Sequence, residues 1–236
     1  MRGAPSSVPI HFRHIAWLLL GGIVAGLLIA LFIGAPIYGI THSKFILGSI
    51  FGISLYGSLI LGYHRLSREY EWVGLRARFA PVATKTLILS SLGGVGLVLF
   101  IAMAAWLLHW YGIKIADVPS AIQLESWTQL PLALILVVVL APSCEELIFR
   151  GLLLDWLRSK MNVWLAALIL SVLFSLLHAN PFSLGAIGWL AFTERFLLGL
   201  GASAWVIKYH SLRPSFVMHA TLNAIAILAS VLNHGP

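Results

Sequence analysis

The chain has 236 residues, of which 60% are hydrophobic and 10% are charged. Ordinary soluble domains contain roughly 45–50% apolar and about 25% charged residues, so this composition excludes a soluble globular domain and predicts an integral membrane protein. The formal net charge is +7. Contact with anionic lipid head groups accounts for this charge, and no nucleic-acid partner is predicted.

Long apolar runs recur along the chain and predict about seven transmembrane helices. The runs cover residues 15–38, 45–63, 86–108, 130–144, 163–177, 182–207 and 214–233. A helix needs about 20 apolar residues to cross a bilayer, so the two shortest runs reach this length only if the polar residues beside them also lie in the membrane. The expected fold is therefore all-α, a polytopic membrane protein whose helices form one bundle.

We divide this integral membrane unit into two parts at residue 126. Residues 1–126 are expected to form N-terminal transmembrane helices with a basic cytoplasmic loop, and residues 127–236 contain the polar motifs described below. The first apolar run follows Arg2 and Arg13, as the apolar region of a signal peptide would. It is too long for such a region, so an uncleaved first helix is predicted.

The distribution of basic residues predicts the orientation. With the N-terminus inside and seven spans, the outer loops hold only Lys44 and Lys114, and Arg150 and Arg195 lie at membrane depth. The inner segments then hold the other basic residues, which are Arg2, Arg13, Arg65, Arg68, Arg76, Arg78, Lys85, Arg158, Lys160, Lys208 and Arg213. This asymmetry follows the positive-inside rule.

The segment "CEELIFR" places three charged residues at the end of an apolar run. Charged side chains inside a membrane cost about 2.5–3.5 kcal/mol each on insertion scales, so they usually face the bundle interior and serve a function. Glu146 and Arg150 are four residues apart and share a helix face, which favours an ion pair. Glu145 is offset by about 100° and has no local partner.

Two later segments bring further polar residues into apolar runs. "FSLLHAN" ends with His178 one turn after Phe174, and "HATLN" places His219 and Asn223 four residues apart. A carboxylate or an imidazole can take a proton from water, and a second imidazole with an amide can donate hydrogen bonds to an oxyanion. Glu145, His178 and His219 could instead hold Zn²⁺ with one position open.

Structural interpretations compete with these functional ones. Glu146 and Arg150 could form a structural lock, and Ser143 with Glu146 fits a capping box for a helix that restarts after Pro142. A single interior histidine such as His178 is more often structural than functional, but its occurrence with His219, Asn223 and Glu145 favours a site. Glu194 and Arg195 are interpreted as a helix-to-helix or snorkelling pair, with a place in the cavity as the alternative.

Three motifs together carry a resemblance to a known family. "EELIFRG", "FSLLHA" and "FLLGLGASAWVIKYHSLRPSFVMHATLN" contain, in order, the patterns E-E-x-x-x-R, F-x-x-x-H and H-x-x-x-N. The chain thus resembles the CPBP intramembrane proteases, which include the type-2 CAAX prenyl proteases and the bacterial Abi proteins. The resemblance covers about residues 127–233.

This resemblance implies a role for each motif residue. Glu145 and His178 would activate the water that attacks the scissile amide, and His219 with Asn223 would stabilise the oxyanion. Glu146 and Arg150 match the remaining motif positions, and the ion pair expected between them gives their role, which is to hold the helix so that Glu145 points inward. A metal-free mechanism and a zinc mechanism with Glu145, His178 and His219 as ligands both remain open. No cofactor is certain, and no H-E-x-x-H signal is present.

The resulting hypothesis is an intramembrane endopeptidase in the plasma membrane of a bacterium, with its N-terminus inside. Its partners would be a membrane-associated peptide or protein substrate and the lipid bilayer. The height of the motifs above the basic loops predicts a site in the inner leaflet, reachable from the cytoplasm. The alternatives are a non-catalytic immunity or scaffold protein that uses the same polar cluster for binding, and a small proton-coupled transporter.

Overall fold

Seven helices account for most of the chain in the computed structural model, which describes residues 10–113, 124–179, 181–182 and 185–234. They are α1 Phe12–Thr41, α2 Lys44–Glu69, α3 Thr84–Trp110, α4 Trp127–Arg158, α5 Val163–His178, α6 Gly185–Tyr209 and α7 Arg213–His234. Within these ranges there is no β-strand. Arg2 and Lys114, which entered the orientation argument, lie outside the described residues.

Six of the helices in the described part of the chain are long and apolar enough to cross a membrane. The exception is α5, which is apolar but has only 16 residues. The expected all-α multi-pass membrane protein is therefore confirmed, and the expected count of about seven spans is close. The division at residue 126 stays a prediction.

Two close helix crossings depend on glycine. Gly26 of α1 lies against α2, where an added Cβ would be 3.2 Å from the Cα of Leu55. Gly94 of α3 lies against α7, where an added Cβ would be only 2.6 Å from the carbonyl oxygen of Met218. Small residues allow helix backbones to approach in lipid, where packing rather than hydrophobicity joins helices. The second crossing fixes α7 next to His219.

A network at the basic end of the bundle joins three helices through the short turn Leu75–Arg78. Arg78 donates from Nη1 to Oδ2 of Asp155 in α4 at 2.5 Å and from Nε to the hydroxyl of Tyr63 in α2 at 3.0 Å. Its carbonyl accepts from the backbone N–H of Leu212, directly before α7, at 2.8 Å. Burial opposes the charge of Arg78, but the attraction of Asp155 and the contact with Tyr63 prevail and raise its pKa above the ordinary value.

Helix α4 runs without interruption through the charged segment. Its α-helical turn Ala141–Glu146 lies between two π-helical stretches, Ile135–Leu140 and Leu147–Leu153. Leu140 has helical backbone angles and no side chain caps the turn. The capping-box interpretation of Ser143 and Glu146 is therefore wrong, because the helix does not restart there. Stretches of π-helix inside α-helices are frequent at functional sites.

Candidate active site

Glu146 forms the buried half of the site. Its side chain is fully buried, and Oε1 accepts from Nη1 of Arg150 at 3.1 Å, so the ion pair expected from the i, i+4 spacing is present. The same oxygen lies 3.0 Å from Nδ1 of His219, which brings α7 to α4. Because Glu146 is the acceptor for both groups, Nδ1 of His219 carries the proton in this contact. Glu146 therefore sets the orientation of the His219 ring.

Phe174 packs between the members of this cluster. Its ring centroid lies 4.6 Å from Cζ of Arg150 and 4.2 Å from the centroid of the His178 ring. It also makes an edge contact with the His219 ring at 5.7 Å. The aromatic position of the F-x-x-x-H pattern thus holds both imidazoles and the guanidinium in place by packing and cation–π attraction.

Glu145 points away from Glu146 and towards the two histidines. Its Oε2 lies 3.4 Å from Nε2 of His178 and 3.7 Å from Nε2 of His219. Its Oε1 accepts a hydrogen bond of 3.4 Å from the hydroxyl of Tyr56 in α2. The side chain of Glu145 is 16% exposed, whereas that of Glu146 is 0% exposed. Of the two adjacent glutamates, only Glu145 is partly exposed and lines the cavity described below.

The tautomer of His178 follows from its backbone contact. Nδ1 lies 2.7 Å from the carbonyl oxygen of Phe174, which can only accept, so Nδ1 donates. In the neutral ring, Nε2 is then an acceptor that faces Glu145. Nε2 of His178 is thus the ring atom that can accept an O–H beside the carboxylate of Glu145.

Asn223 is held by a hydrogen bond to a backbone carbonyl that Pro142 leaves free. In the π-helical stretch the N–H of Ala141 bonds to the carbonyl of Leu136, five residues earlier. Pro142 has no N–H to continue this pattern, so the carbonyl of Val137 accepts from Nδ2 of Asn223 instead, at 2.9 Å. The other N–H of this amide group remains for a ligand. Proline in α4 therefore creates the acceptor that fixes Asn223.

Arg195 of α6 is a further member of the site. Its Nη1 lies 3.4 Å from Oδ1 of Asn223, and its Nε lies 3.8 Å from Oε2 of Glu194. Glu194 lies in the same helix, so only the contact with Asn223 of α7 is a pairing between helices, and Arg195 also lines the central cavity. The alternative interpretation, a place for Arg195 in the cavity, is therefore the one that matters for the chemistry of the site.

A cavity of about 560 Å³ joins these groups. Helix α2 forms one wall, and α4, α5, α6 and α7 contribute the groups described above. Its lining residues are Lys44, Phe45, Gly48, Ser49, Phe51, Gly52, Leu55, Tyr56, Leu136, Val137, Ala141, Glu145, His178, Arg195, His219 and Asn223. Glu145, His178, His219 and Asn223, the four residues predicted to form the site, thus line one cavity.

The cavity reaches towards the end of α2 at Lys44, opposite the basic end at Glu69. With the orientation predicted from the charges, the Lys44 end faces outwards, whereas access from the cytoplasm was expected. The two expectations do not agree in this fold. Access from the cytoplasm was predicted only from the heights of the three motifs above the basic loops. That prediction did not include α2, whose residues between Lys44 and Tyr56 line the cavity.

The donor set of Glu145, His178 and His219 has the chemistry of a zinc site, one carboxylate and two imidazoles. Both imidazoles direct Nδ1 to a carbonyl or carboxylate, as metal-bound histidines do. Nevertheless, in the parts of the chain described here, no three His, Cys, Asp or Glu side chains are arranged to hold a metal ion.

Known proteins match the part of the chain that contains α4 to α7. Residues 127–225 match the family model for the type II CAAX prenyl endopeptidase Rce1-like family. An "Uncharacterized 24.3 kDa protein" of Escherichia coli is 34% identical over 99 residues, which are 41% of this chain and 43% of that protein. The "Putative membrane peptidase YdiL" of Bacillus subtilis (strain 168) is 33% identical over 96 residues, which are 40% of this chain and 39% of that protein.

These matches therefore cover less than half of either relative. No solved structure matches the chain at a significant level. The matched residues contain all three motifs, which lie on α4, α5 and α7. The resemblance inferred from the motifs is confirmed: over residues 127–225 this chain is similar to the Rce1-like type II CAAX prenyl endopeptidases.

Proposed function

We propose that the chain is an intramembrane endopeptidase that hydrolyses peptide bonds of membrane-associated peptides or proteins. The observation that carries the proposal is the convergence of Glu145 with Nε2 of both His178 and His219 in one cavity. The family match and the name of the Bacillus relative support a membrane peptidase. The substrate and the mechanism are part of the proposal.

In the first step, a water molecule donates one O–H to Glu145 and the other to His178. The carboxylate of Glu145 takes a proton as the water oxygen bonds to the carbonyl carbon of the substrate. The electron pair of the C=O bond moves to its oxygen, which becomes an oxyanion. Positioned general bases typically contribute about 10²–10⁴-fold to a rate.

The oxyanion is stabilised by His219 and Asn223. Nδ1 of His219 is bound to Glu146, so Nε2 can donate to the oxyanion when the imidazole is protonated, and Glu146 balances that charge. Asn223 donates the N–H that Val137 does not use. In the second step the proton held by Glu145 passes to the amide nitrogen, and the C–N bond breaks to release an amine and a carboxylic acid.

The site would act on an unwound segment of its substrate, because an intact helix keeps its amides in internal hydrogen bonds. We further propose that the protein lies in a bacterial plasma membrane with its N-terminus inside. The excess of basic residues at the Glu69 end of α2 supports this orientation.

The test compares cells that express the wild type with cells that express Glu145→Gln at equal membrane abundance. Peptide termini in the membrane and secreted fractions are mapped by mass spectrometry. We expect termini that occur only with the wild type, because the neutral amide of the variant cannot accept the proton of the water molecule. Equal profiles, with a phenotype that depends on the gene but not on Glu145, would instead support a binding or scaffold protein.

Metal analysis of the purified wild type and of His178→Ala separates the two mechanisms. A metal-free mechanism predicts activity without stoichiometric zinc and no inhibition by chelators. If zinc is bound and is lost with His178→Ala, then Glu145, His178 and His219 would be its ligands and the metal would polarise the carbonyl.

A further inference from the structure

The wall of the cavity formed by α2 lies outside the segment that matches known proteins. The match begins at residue 127, whereas α2 is Lys44–Glu69. Nevertheless, eight of the sixteen lining residues of the cavity belong to α2. A wall of this extent restricts what can reach Glu145, so this half of the chain is placed to select the substrate.

Four of the lining residues follow one line along α2. Lys44, Gly48, Gly52 and Tyr56 are each four positions apart, and residues at this spacing lie one above another on a helix face. Tyr56 contacts Glu145 through its hydroxyl. The line therefore runs from the reacting carboxylate to the end of the helix.

The two glycines leave open space on this line. A Cβ added at Gly48 or at Gly52 would meet no atom within 4 Å. Glycine in a helix interior costs about 0.5–1 kcal/mol relative to alanine, and here no close helix approach compensates for this cost. The open space instead enlarges the cavity along the path that leads to Glu145.

Lys44 is the second cation of the cavity, after Arg195. Within the described ranges, no carboxylate lies within salt-bridge distance of the Lys44 ammonium group. Glu125, which is close in space, accepts from the Ser43 hydroxyl and from the backbone N–H of Phe45. Lys44 is thus available to bind an anionic group of a ligand.

We propose that the α2 wall, defined as Lys44, Gly48, Gly52 and Tyr56, binds the substrate as an extended peptide and determines its specificity. Apolar side chains lie over Gly48 and Gly52, and an acidic side chain or a free carboxylate pairs with Lys44. The twelve positions from Lys44 to Tyr56 span about 18 Å at ~1.5 Å per residue of helix. An extended peptide covers this length with about five residues. The acidic group is therefore expected about five residues from the cleaved bond.

This inference rests on the proposed function, and a size series tests it. Purified protein in lipid vesicles is given a pool of short palmitoylated peptides with randomised apolar residues and one glutamate at a varied position. Gly52→Leu and Gly48→Leu should lower kcat/KM for peptides with large apolar residues at least tenfold through KM, and should favour small residues. Gly57→Leu is the matched control, because Gly57 also lies in α2 with nothing within 4 Å of an added Cβ, but it does not line the cavity.

The charge at the end of the wall is tested with Lys44→Glu. The wild type should prefer peptides with glutamate about five residues from the cut, and Lys44→Glu should reverse this preference when lysine replaces that glutamate in the pool. Equal products from the wild type, Gly52→Leu and Gly57→Leu, or an unchanged charge preference, would overturn the proposal.

A labelling experiment separates this inference from the proposed function, because it needs no catalysis. The only native cysteine, Cys144, is buried, so Gly52→Cys in the Glu145→Gln background supplies one reactive thiol. The peptide pool should slow its reaction with a maleimide, and should not slow that of Gly57→Cys. Protection of the thiol without cleavage of the peptides by the wild type would overturn the proposed peptidase function and support substrate binding at the α2 wall. Cleavage by the wild type without protection of the thiol would overturn substrate binding at the α2 wall and support the proposed peptidase function.

Discussion

Helices α4 and α2 face the same cavity but differ in how deeply they are buried in the bundle. In the most apolar window of α4, 50% of the residues are buried, whereas the corresponding value for α2 is 17%. Helix α4 lies within the segment that matches the known family, and α2 lies outside it. The proposed general base Glu145 is thus held on a buried helix, and the proposed substrate surface is on an exposed one.

The difference is sharpest at two adjacent carboxylates. Glu146 is enclosed by α4 and α7, where Arg150 and His219 both bind it. Glu145, one residue earlier, turns to α2 and accepts from Tyr56. The comparison implies that changes around Glu146 act on folding and orientation, whereas changes on α2 act on the substrate.

The largest effect is expected from breaking the buried ion pair. Glu146→Gln leaves the charge of Arg150 without its partner, and removal of one member of a buried pair costs about 3–5 kcal/mol of stability. The Nδ1–H of His219 then faces a neutral amide, whose oxygen can still accept but cannot balance a charge on the imidazole. We expect loss of activity together with a lower unfolding temperature in detergent.

A double variant separates the effect of the ion pair on stability from its effect on the orientation of His219. Replacement of a buried ion pair by apolar residues of similar size is often neutral for stability, so Glu146→Leu with Arg150→Leu should regain much of the thermal stability. Activity should not return, because nothing then orients His219. If the double variant were fully active, the pair would have only a structural role.

The sequence predicts the parts of the site that depend on local spacing. The i, i+4 relation of Glu146 and Arg150 and the opposite direction of Glu145 follow from helix geometry alone. The three motifs lie on separate apolar runs, so their convergence required the family resemblance as well. The all-α bundle follows from composition, because lipid leaves backbone groups no partners outside helices and closed barrels.

The sequence does not predict what depends on distant contacts. Tyr56 is an ordinary aromatic residue in an apolar run, and nothing nearby marks it as a neighbour of Glu145. Pro142 suggests a kink, whereas its effect is a free carbonyl at Val137 that binds Asn223. That effect requires the π-helical register of α4, which residue patterns do not reveal. Arg195 could be recognised only as a charge inside an apolar run.

A smaller effect is expected from Arg195, which belongs to the matched segment but contacts Asn223 rather than α4. Its guanidinium holds Oδ1 of Asn223 at 3.4 Å, so Arg195→Met should let the amide turn away from the oxyanion. We expect kcat to fall about tenfold, equivalent to ~1.4 kcal/mol, with KM changed little. Steady-state kinetics on a peptide identified by the mapping of termini measures both constants.

Two variants control this prediction. Glu194→Gln removes the neighbouring charge and should leave kcat within about twofold of the wild type, because a partly exposed pair with its atoms 3.8 Å apart is worth little. Arg195→Lys keeps the charge without the planar donor group and should give an intermediate kcat. A fall in Arg195→Met that appears only in KM would show that Arg195 binds substrate and does not position Asn223.

The smallest effect is expected where the two helices meet. Tyr56 donates to Oε1 of Glu145 over 3.4 Å, which is long for an O–H···O bond and therefore weak. Tyr56→Phe removes only this donor and keeps the ring, so we expect kcat to fall about threefold, or ~0.7 kcal/mol, with unchanged thermal stability. Tyr56→Leu also removes part of the α2 wall and should raise KM as well. If Tyr56→Phe lowered activity as much as Glu145→Gln, the hydroxyl would take part in the reaction, and α2 would supply chemistry as well as shape.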